Sequence, residues 1–250
     1  MTGALAVVGL GPGGPEHRTP AAGRALAQSE ILLGYATYLD RIVLAQGQSR
    51  IPSDNREELD RARHALALAA EGRRVAMVSG GDPGVFAMAS AVMEAIEHGP
   101  PEWRSLALEV IPGVTAMLAA ASRLGAPLGH DFCALSLSDN LKPWDLVIAR
   151  LTAAAAAGFT LALYNPASSA RPWQLGAAFE ALSRVLPVTV PVAFVTAACR
   201  EDEHIVITDL AHADPRIAGM RTLVVIGTEK SRLIERPGLP PLFYAPRSAS

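Results

Sequence analysis

Short apolar runs that stop at glycine alternate with stretches of helical spacing through the first half of the chain. That alternation limits it to mostly parallel strands covered by helices. Residues 4–10 form the first apolar run. Thr19 and Pro20 then supply an N-cap and a proline at the first helical position, which predicts a helix over 20–29. Residues 31–34 read as a second strand. Asp54 is placed to cap a helix in which Leu59, Ala62, Leu66 and Ala69 share one face and which Gly72 ends. The order repeats with a strand at 75–78, a helix at 84–98, a strand at 106–111 and a helix at 114–124.

Past Gly125 the pattern changes. Strand-like segments fall at 132–137, 159–164, 190–195, 205–208 and 222–226 while helices thin out, which reads as a second α/β domain. The strands flanking 200–204 are close enough to pair as an antiparallel hairpin. The expected organisation is an N-terminal α/β domain over 1–111, a C-terminal α/β domain over 112–236 and a tail over 237–250. In that tail, Pro237, Pro240, Pro241 and Pro246 favour an extended, surface-lying or disordered end.

Composition narrows the function. Half of the residues are hydrophobic but only 5% are aromatic, and the surplus of Ala, Val and Leu suits helices on a buried parallel sheet. A formal net charge of −2, without any long run of Lys or Arg, argues against nucleic acid as a partner. The start has no basic region followed by an apolar core. No apolar run approaches the roughly 20 residues that span a bilayer, so a soluble cytoplasmic protein without membrane association is expected. Cys133 and Cys199 lack metal-ligand spacing, so they are read as reduced thiols and no metal site is expected.

Gly9, Gly11 and Gly14 satisfy the G-x-G-x-x-G spacing directly after a strand, which raises an NAD-dependent oxidoreductase as one reading. In that fingerprint the helix begins inside the glycine motif. Here Pro12 and Pro15 interrupt the segment and remove N–H donors, so the helix cannot start before about Pro20. Glu30 also precedes the second strand, where a ribose-binding acid would follow it. A substrate-facing loop, bare enough for a large flat ligand to approach its backbone, is the favoured reading of residues 11–15.

A second glycine turn, Ser79-Gly80-Gly81-Asp82-Pro83-Gly84-Val85-Phe86, again lies between a strand and a helix. Together with the turn at 9–14, the segment Ile111-Pro112-Gly113-Val114-Thr115-Ala116 and the strand end Ala162-Leu163-Tyr164-Asn165-Pro166, it resembles the tetrapyrrole methylases in sequence, order and spacing. The segments Gly129-His130-Asp131-Phe132 and 136–144 resemble the branch that methylates a precorrin at carbon 17 and contracts its ring. The resemblance implies two α/β domains in tandem with the active-site cleft between them, a homodimer, and S-adenosylmethionine as methyl donor. It implies precorrin-3B or a related tetrapyrrole as substrate, in cobalamin biosynthesis, with possible transient handover to neighbouring pathway enzymes. Whether the substrate is metal-free or carries cobalt stays open, with the segment at 139–144 closer to the metal-free branch.

By the same resemblance, Gly80, Gly81, Asp82 and Val85 hold the methionine portion and ribose of the donor. Thr115 and Ala116 touch it, and Tyr164, Asn165 and Ala198 shape the adenine site. Gly11, Pro12, Gly13, Ser138, Asn140 and Arg171 face the tetrapyrrole. Two places depart from the family's usual sequence, Thr196-Ala197-Ala198-Cys199-Arg200 and Gly227-Thr228-Glu229-Lys230, and both are expected to border the adenosine pocket.

Methyl transfer from a sulfonium needs positioning and exclusion of water more than acid or base help. Ring contraction moves a proton and calls for a general acid or base. His130, Asp131 and Lys142 are the candidates, although a lone histidine is also a common structural hydrogen-bonding group. Asp82 has a second reading as a turn residue before Pro83, and Thr115 one as a first-turn helix hydroxyl. The acetate and propionate groups of a precorrin call for local positive charge, for which Arg18, Lys142, Arg150 and Arg171 are candidates.

Overall fold

The computed structural model describes residues 3–53 and 58–248. It divides into two compact units, Met1–Ala116 and Met117–Ser250, so the division falls just past the 111/112 boundary expected from sequence. Asp54 lies outside the described residues.

The first unit holds strands β1 (Ala4–Gly9), β2 (Ile31–Tyr35), β3 (Ser49–Ser53), β4 (Arg74–Ser79) and β5 (Ala107–Ile111). They form one sheet in the order β3-β2-β4-β1-β5, with every pairing parallel. Helices α1 (Pro20–Gln28), α2 (Ala36–Leu39), α3 (Glu58–Ala70) and α4 (Met88–His98) connect and cover it. Alternate residues of β1 serve opposite faces, as the strand period requires. Leu5 and Val7 pack with Leu66 of α3 and Val92 of α4, while Val8 packs with Ala22 and Leu26 of α1.

Helix α1 starts as its sequence dictates: Thr19 Oγ1 accepts the Ala22 N–H at 3.1 Å and Pro20 opens the first turn. Helix α4 begins at Met88, four residues later than the spacing predicts, because Phe86 takes a positive φ of 50° that no helix accommodates. Strand β3 escaped the sequence reading. It is a polar edge strand, Ser-Arg-Ile-Pro-Ser, and an edge is where a strand proline is tolerated.

The second unit contains α5 (Ala116–Leu124, whose first residue belongs to the first unit), β6 (Gly125–Ala126), β7 (Phe132–Ser136), α6 (Trp144–Ala156), β8 (Thr160–Tyr164), α7 (Gln174–Leu182), β9 (Pro191–Thr196), β10 (His204–Asp209) and β11 (Thr222–Ile226). The sheet order is β10-β9-β11-β8-β7, parallel only between β7 and β8. The expected hairpin is present as β9 and β10. Leu161, Leu163, Val192, Phe194 and Val224 of the sheet pack with Leu151 of α6 and with Leu175, Phe179 and Leu182 of α7.

The proline-rich end takes the extended form that its sequence offered beside disorder, and part of it enters the core. Strands β12 (Arg232–Arg236) and β13 (Leu239–Tyr244) pair, and β13 also pairs with β6. Phe243 is fully buried and anchors the segment. Pro240 and Pro241 sit where the β12–β13 register shifts, at the kind of irregularity that spares a strand the missing N–H.

Candidate functional site

In an all-parallel sheet the carboxyl ends of the strands face one edge, and the turns there are the ordinary place for ligands. In the first unit the turns after β1, β4 and β5 converge on that edge through glycine. Gly11 and Gly81 exchange both backbone hydrogen bonds, at 3.1 and 3.2 Å. A Cβ added at Gly113 would lie 2.2 Å from the Gly81 carbonyl oxygen, and one at Gly9 would lie 2.7 Å from both that oxygen and the Gly113 nitrogen. Only residues without side chains allow this approach. Gly11 and Gly81 also carry positive φ, 71° and 65°.

Asp82 joins the β4 and β5 turns. Its Oδ1 accepts the Gly84 N–H at 2.8 Å and its Oδ2 accepts the Gly113 N–H at 3.0 Å. The turn-residue reading of Asp82 therefore holds, extended to a second loop. A carboxylate has roughly four lone-pair sites, so these two bonds leave it acceptor capacity toward a ligand. A Cβ at Gly81 would meet nothing closer than 3.6 Å, and its nearest atoms belong to Val114, Thr115 and Ala116. Side-chain-free space thus borders the residues that the resemblance assigns to the donor. Glycine backbone, a carboxylate and a half-exposed Val85 suit a ligand with a cationic sulfonium and many hydrogen-bonding groups.

The loop after β1 is less bare than its sequence implies. Gly11, Pro12 and Gly13 are buried, and Arg41 Nη2 donates to the carbonyls of Gly11, at 2.9 Å, and Gly13. Arg18 in turn donates to the Arg41 carbonyl at 3.5 Å. Arg41 was not singled out by sequence, because nothing local ties it to glycines 28 and 30 positions away. Replacing Arg41 with Ala is expected to lower unfolding stability by about 2 kcal/mol, the scale of lost charge-assisted bonds, as read by urea titration. Glu30 bonds Arg73 Nε at 2.9 Å and the Arg74 N–H, and the Arg73 bond holds its carboxyl below the usual carboxylate range. It ties down the start of β4 and is no ribose ligand.

In the second unit the parallel pair β7 and β8 ends at Ser136 and Tyr164. Tyr164 Oη accepts the Met117 N–H at 3.0 Å, Asn165 Nδ2 donates to Ser136 Oγ at 2.9 Å, and Arg171 donates to the Asn165 carbonyl at 3.3 Å. Asn165, Ala197 and Cys199 hold positive φ of 52°, 52° and 63°. With Phe86 these are all the described non-glycine residues so strained, and each lies within or beside a segment assigned to the donor. Such backbone is costly and concentrates at functional sites. Half-exposed Ala198 sits between two of them, and Glu203 accepts the Cys199 N–H at 2.6 Å.

Ser138, Asn140 and Lys142 follow β7 at this same end. Burial, seconded by Arg150, pulls the Lys142 ammonium pKa below its ordinary value. His130 and Asp131 lie elsewhere: they precede β7, and five steps of about 3.3 Å each put about 16 Å of extended chain between Asp131 and Ser136. His130 Nδ1 is 3.8 Å from Asp131 Oδ2, with both side chains exposed. The turn at 227–230 is likewise separated from Ala198. Because β11 runs antiparallel to β9, its end at Ile226 pairs with Val192, while its start at Thr222 pairs with Thr196. The residue that borders Ala197 is Arg221, whose carbonyl accepts the Ala197 N–H at 3.0 Å. No cluster of metal ligands occurs among the described residues, and none of the helices described there is long and apolar enough to cross a membrane.

Comparison with known proteins agrees with this geometry. A family profile, Tetrapyrrole (Corrin/Porphyrin) Methylases, matches residues 4–214. A precorrin-3B C(17)-methyltransferase from Sinorhizobium sp is 60% identical, over 99% of this chain and 97% of that protein. The crystal structure of the methyltransferase CobJ superposes with a TM-score of 0.92 at 46% identity, covering 98% of this chain and all of that one. The Thermus thermophilus uroporphyrin-III C-methyl transferase, complexed with S-adenyl homocysteine, gives a TM-score of 0.68 at 25% identity, covering 90% and 97% of the two chains. The chain belongs to the tetrapyrrole (corrin/porphyrin) methylases, the enzymes that use S-adenosylmethionine as methyl donor.

Proposed function

We propose that this enzyme of cobalamin biosynthesis methylates precorrin-3B at carbon 17 with contraction of the ring. The observation that carries the reading is the 60% identity, over nearly the full length, to a precorrin-3B C(17)-methyltransferase; the glycine-built edge at the ends of β1, β4 and β5 supports it. When bound, S-adenosylmethionine supplies the methyl group. By the family resemblance, Gly80, Gly81, Asp82, Val85, Thr115, Ala116, Tyr164, Asn165 and Ala198 are the residues that would hold it. The protein's work is to orient the acceptor carbon and exclude water. Gly11, Pro12, Gly13, Ser138, Asn140 and Arg171 contact the tetrapyrrole. The active form is a homodimer working in the cytoplasm, which hands its product to the next pathway enzyme.

The proton that ring contraction moves is assigned to Lys142. It follows β7 at the end that carries Tyr164 and Asn165, and its partial burial brings the ammonium closer to neutral pH. His130 and Asp131 stand at the far end of the strand and receive no chemical role. Anaerobic incubation of the pure protein with S-adenosylmethionine and precorrin-3B, followed by mass spectrometry and absorbance, is expected to show one added methyl and a ring-contracted spectrum. Lys142→Met should slow that conversion by about 100-fold, the scale of a lost general acid, while His130→Ala proceeds at close to the parent rate. No conversion of precorrin-3B alongside turnover of a cobalt-containing substrate would move the assignment to that branch.

A further inference from the structure

Gln174 opens α7 and is buried to 1% exposure. Its Nε2 donates to both carboxylate oxygens of Asp139, at 3.3 and 3.1 Å. Its Oε1 is also buried and has no hydrogen-bond partner among the described residues. A buried amide that satisfies only its donor side is a poor device for stability, since an apolar side chain of similar volume would avoid the orphaned carbonyl. What the amide does accomplish is to hold Asp139.

Asp139 lies in the middle of the segment joining β7 to α6. At the root of that segment, Ser136 Oγ accepts the Ser138 N–H at 3.3 Å, and the Leu137 N–H bonds the Tyr164 carbonyl at 2.9 Å. At its far end, Trp144 packs edge-on against Trp173, with ring centroids 5.0 Å apart. Between these anchors the Gln174 amide fixes Asp139, while Leu141 stands 93% exposed at the tip. The segment carries Ser138, Asn140 and Lys142, and its one acid is the residue that Gln174 engages. A tetrapyrrole bearing many carboxylates would be repelled by a mobile Asp139 beside Lys142. Engaging that carboxylate from behind leaves the segment's donors and its cation to face the substrate.

We infer that Gln174 is a positioning residue, which acts through Asp139 to set residues 138–142 for the polycarboxylate substrate. The inference rests on the proposed function for its substrate, so its test includes a reading that needs none. Gln174→Leu is expected to leave the thermal midpoint and the calorimetric affinity for S-adenosylhomocysteine at parent values. It should speed hydrogen–deuterium exchange over 137–143 and raise KM for precorrin-3B about tenfold, the weight of one hydrogen-bonded contact, with kcat falling too because Lys142 rides on the same segment. If Gln174→Leu does not fold, Asp139→Ala, at a half-buried loop site, breaks the same bond and carries the exchange reading.

Unchanged exchange over 137–143 would overturn the inference. So would faster exchange with an unaltered KM. A protein that fails on precorrin-3B yet shows the exchange effect would overturn only the choice of substrate, with KM then read on the substrate it does accept.

Discussion

Gly113→Ala is expected to leave a folded protein whose turnover has fallen about 100-fold, the cost of misplacing reacting groups by about 1 Å. The added Cβ would lie 2.2 Å from the Gly81 carbonyl oxygen and 3.0 Å from the Gly9 carbonyl carbon. Both neighbours are backbone at the ends of strands locked in one parallel sheet, β4 and β1. They cannot swing aside as a flexible side chain would, so the turn after β5 must move outward. That motion also carries Thr115 and Ala116 away from their places beside Gly81. Overpacking should lower the unfolding free energy by about 1–3 kcal/mol, readable by urea titration beside single-turnover methylation. Parent-level turnover would mean that the three turns need not touch for the donor to bind.

Asp82→Ala is the second large effect. It removes acceptors from the Gly84 and Gly113 N–H groups together, and bonds to a charged acceptor contribute about 1.5–3 kcal/mol each. Water recovers part of that at a half-exposed site, so affinity for S-adenosylhomocysteine is expected to fall about tenfold, measured by titration calorimetry. Asp82→Asn separates the two services of the residue. An amide can accept one of the two N–H groups but turns its own donor toward the other, so it should lose nearly as much as alanine if Asp82 serves as a brace. Unaltered affinity in both variants would take Asp82 out of the donor site.

The sequence displayed the fold of the first unit well because its signals are local. Strand runs, Thr19-Pro20 and the glycine stops each act within a few residues, and the observed β1, α1, β2 and β4 lie where these place them. Strand β3 and the β12–β13 hairpin were illegible for the opposite reason. Ser49–Ser53 pairs only because β2 offers it an edge, and Leu239–Tyr244 is held by Phe243 entering a core that the prolines around it do not announce. In the candidate site, motif spacing identified the glycine turns and Asp82. It could not identify Arg41 or Gln174, whose partners lie 28 to 35 residues away. The turn at 227–230 was expected beside the adenosine pocket because a linear reading does not show strand direction. An antiparallel β11 carries 227–230 to the opposite end of the sheet, and His130 enters β7 at the end where Ser136 does not lie.

The contact among Gly9, Gly81 and Gly113 also has a genetic consequence. A crowded core can often be rescued by a second mutation that trims a neighbour, but the neighbours here are already glycine and have no side chain to surrender. Lineages that lose Gly9 or Gly113 should therefore regain function by true reversion, with suppressors inside the cluster closed to them.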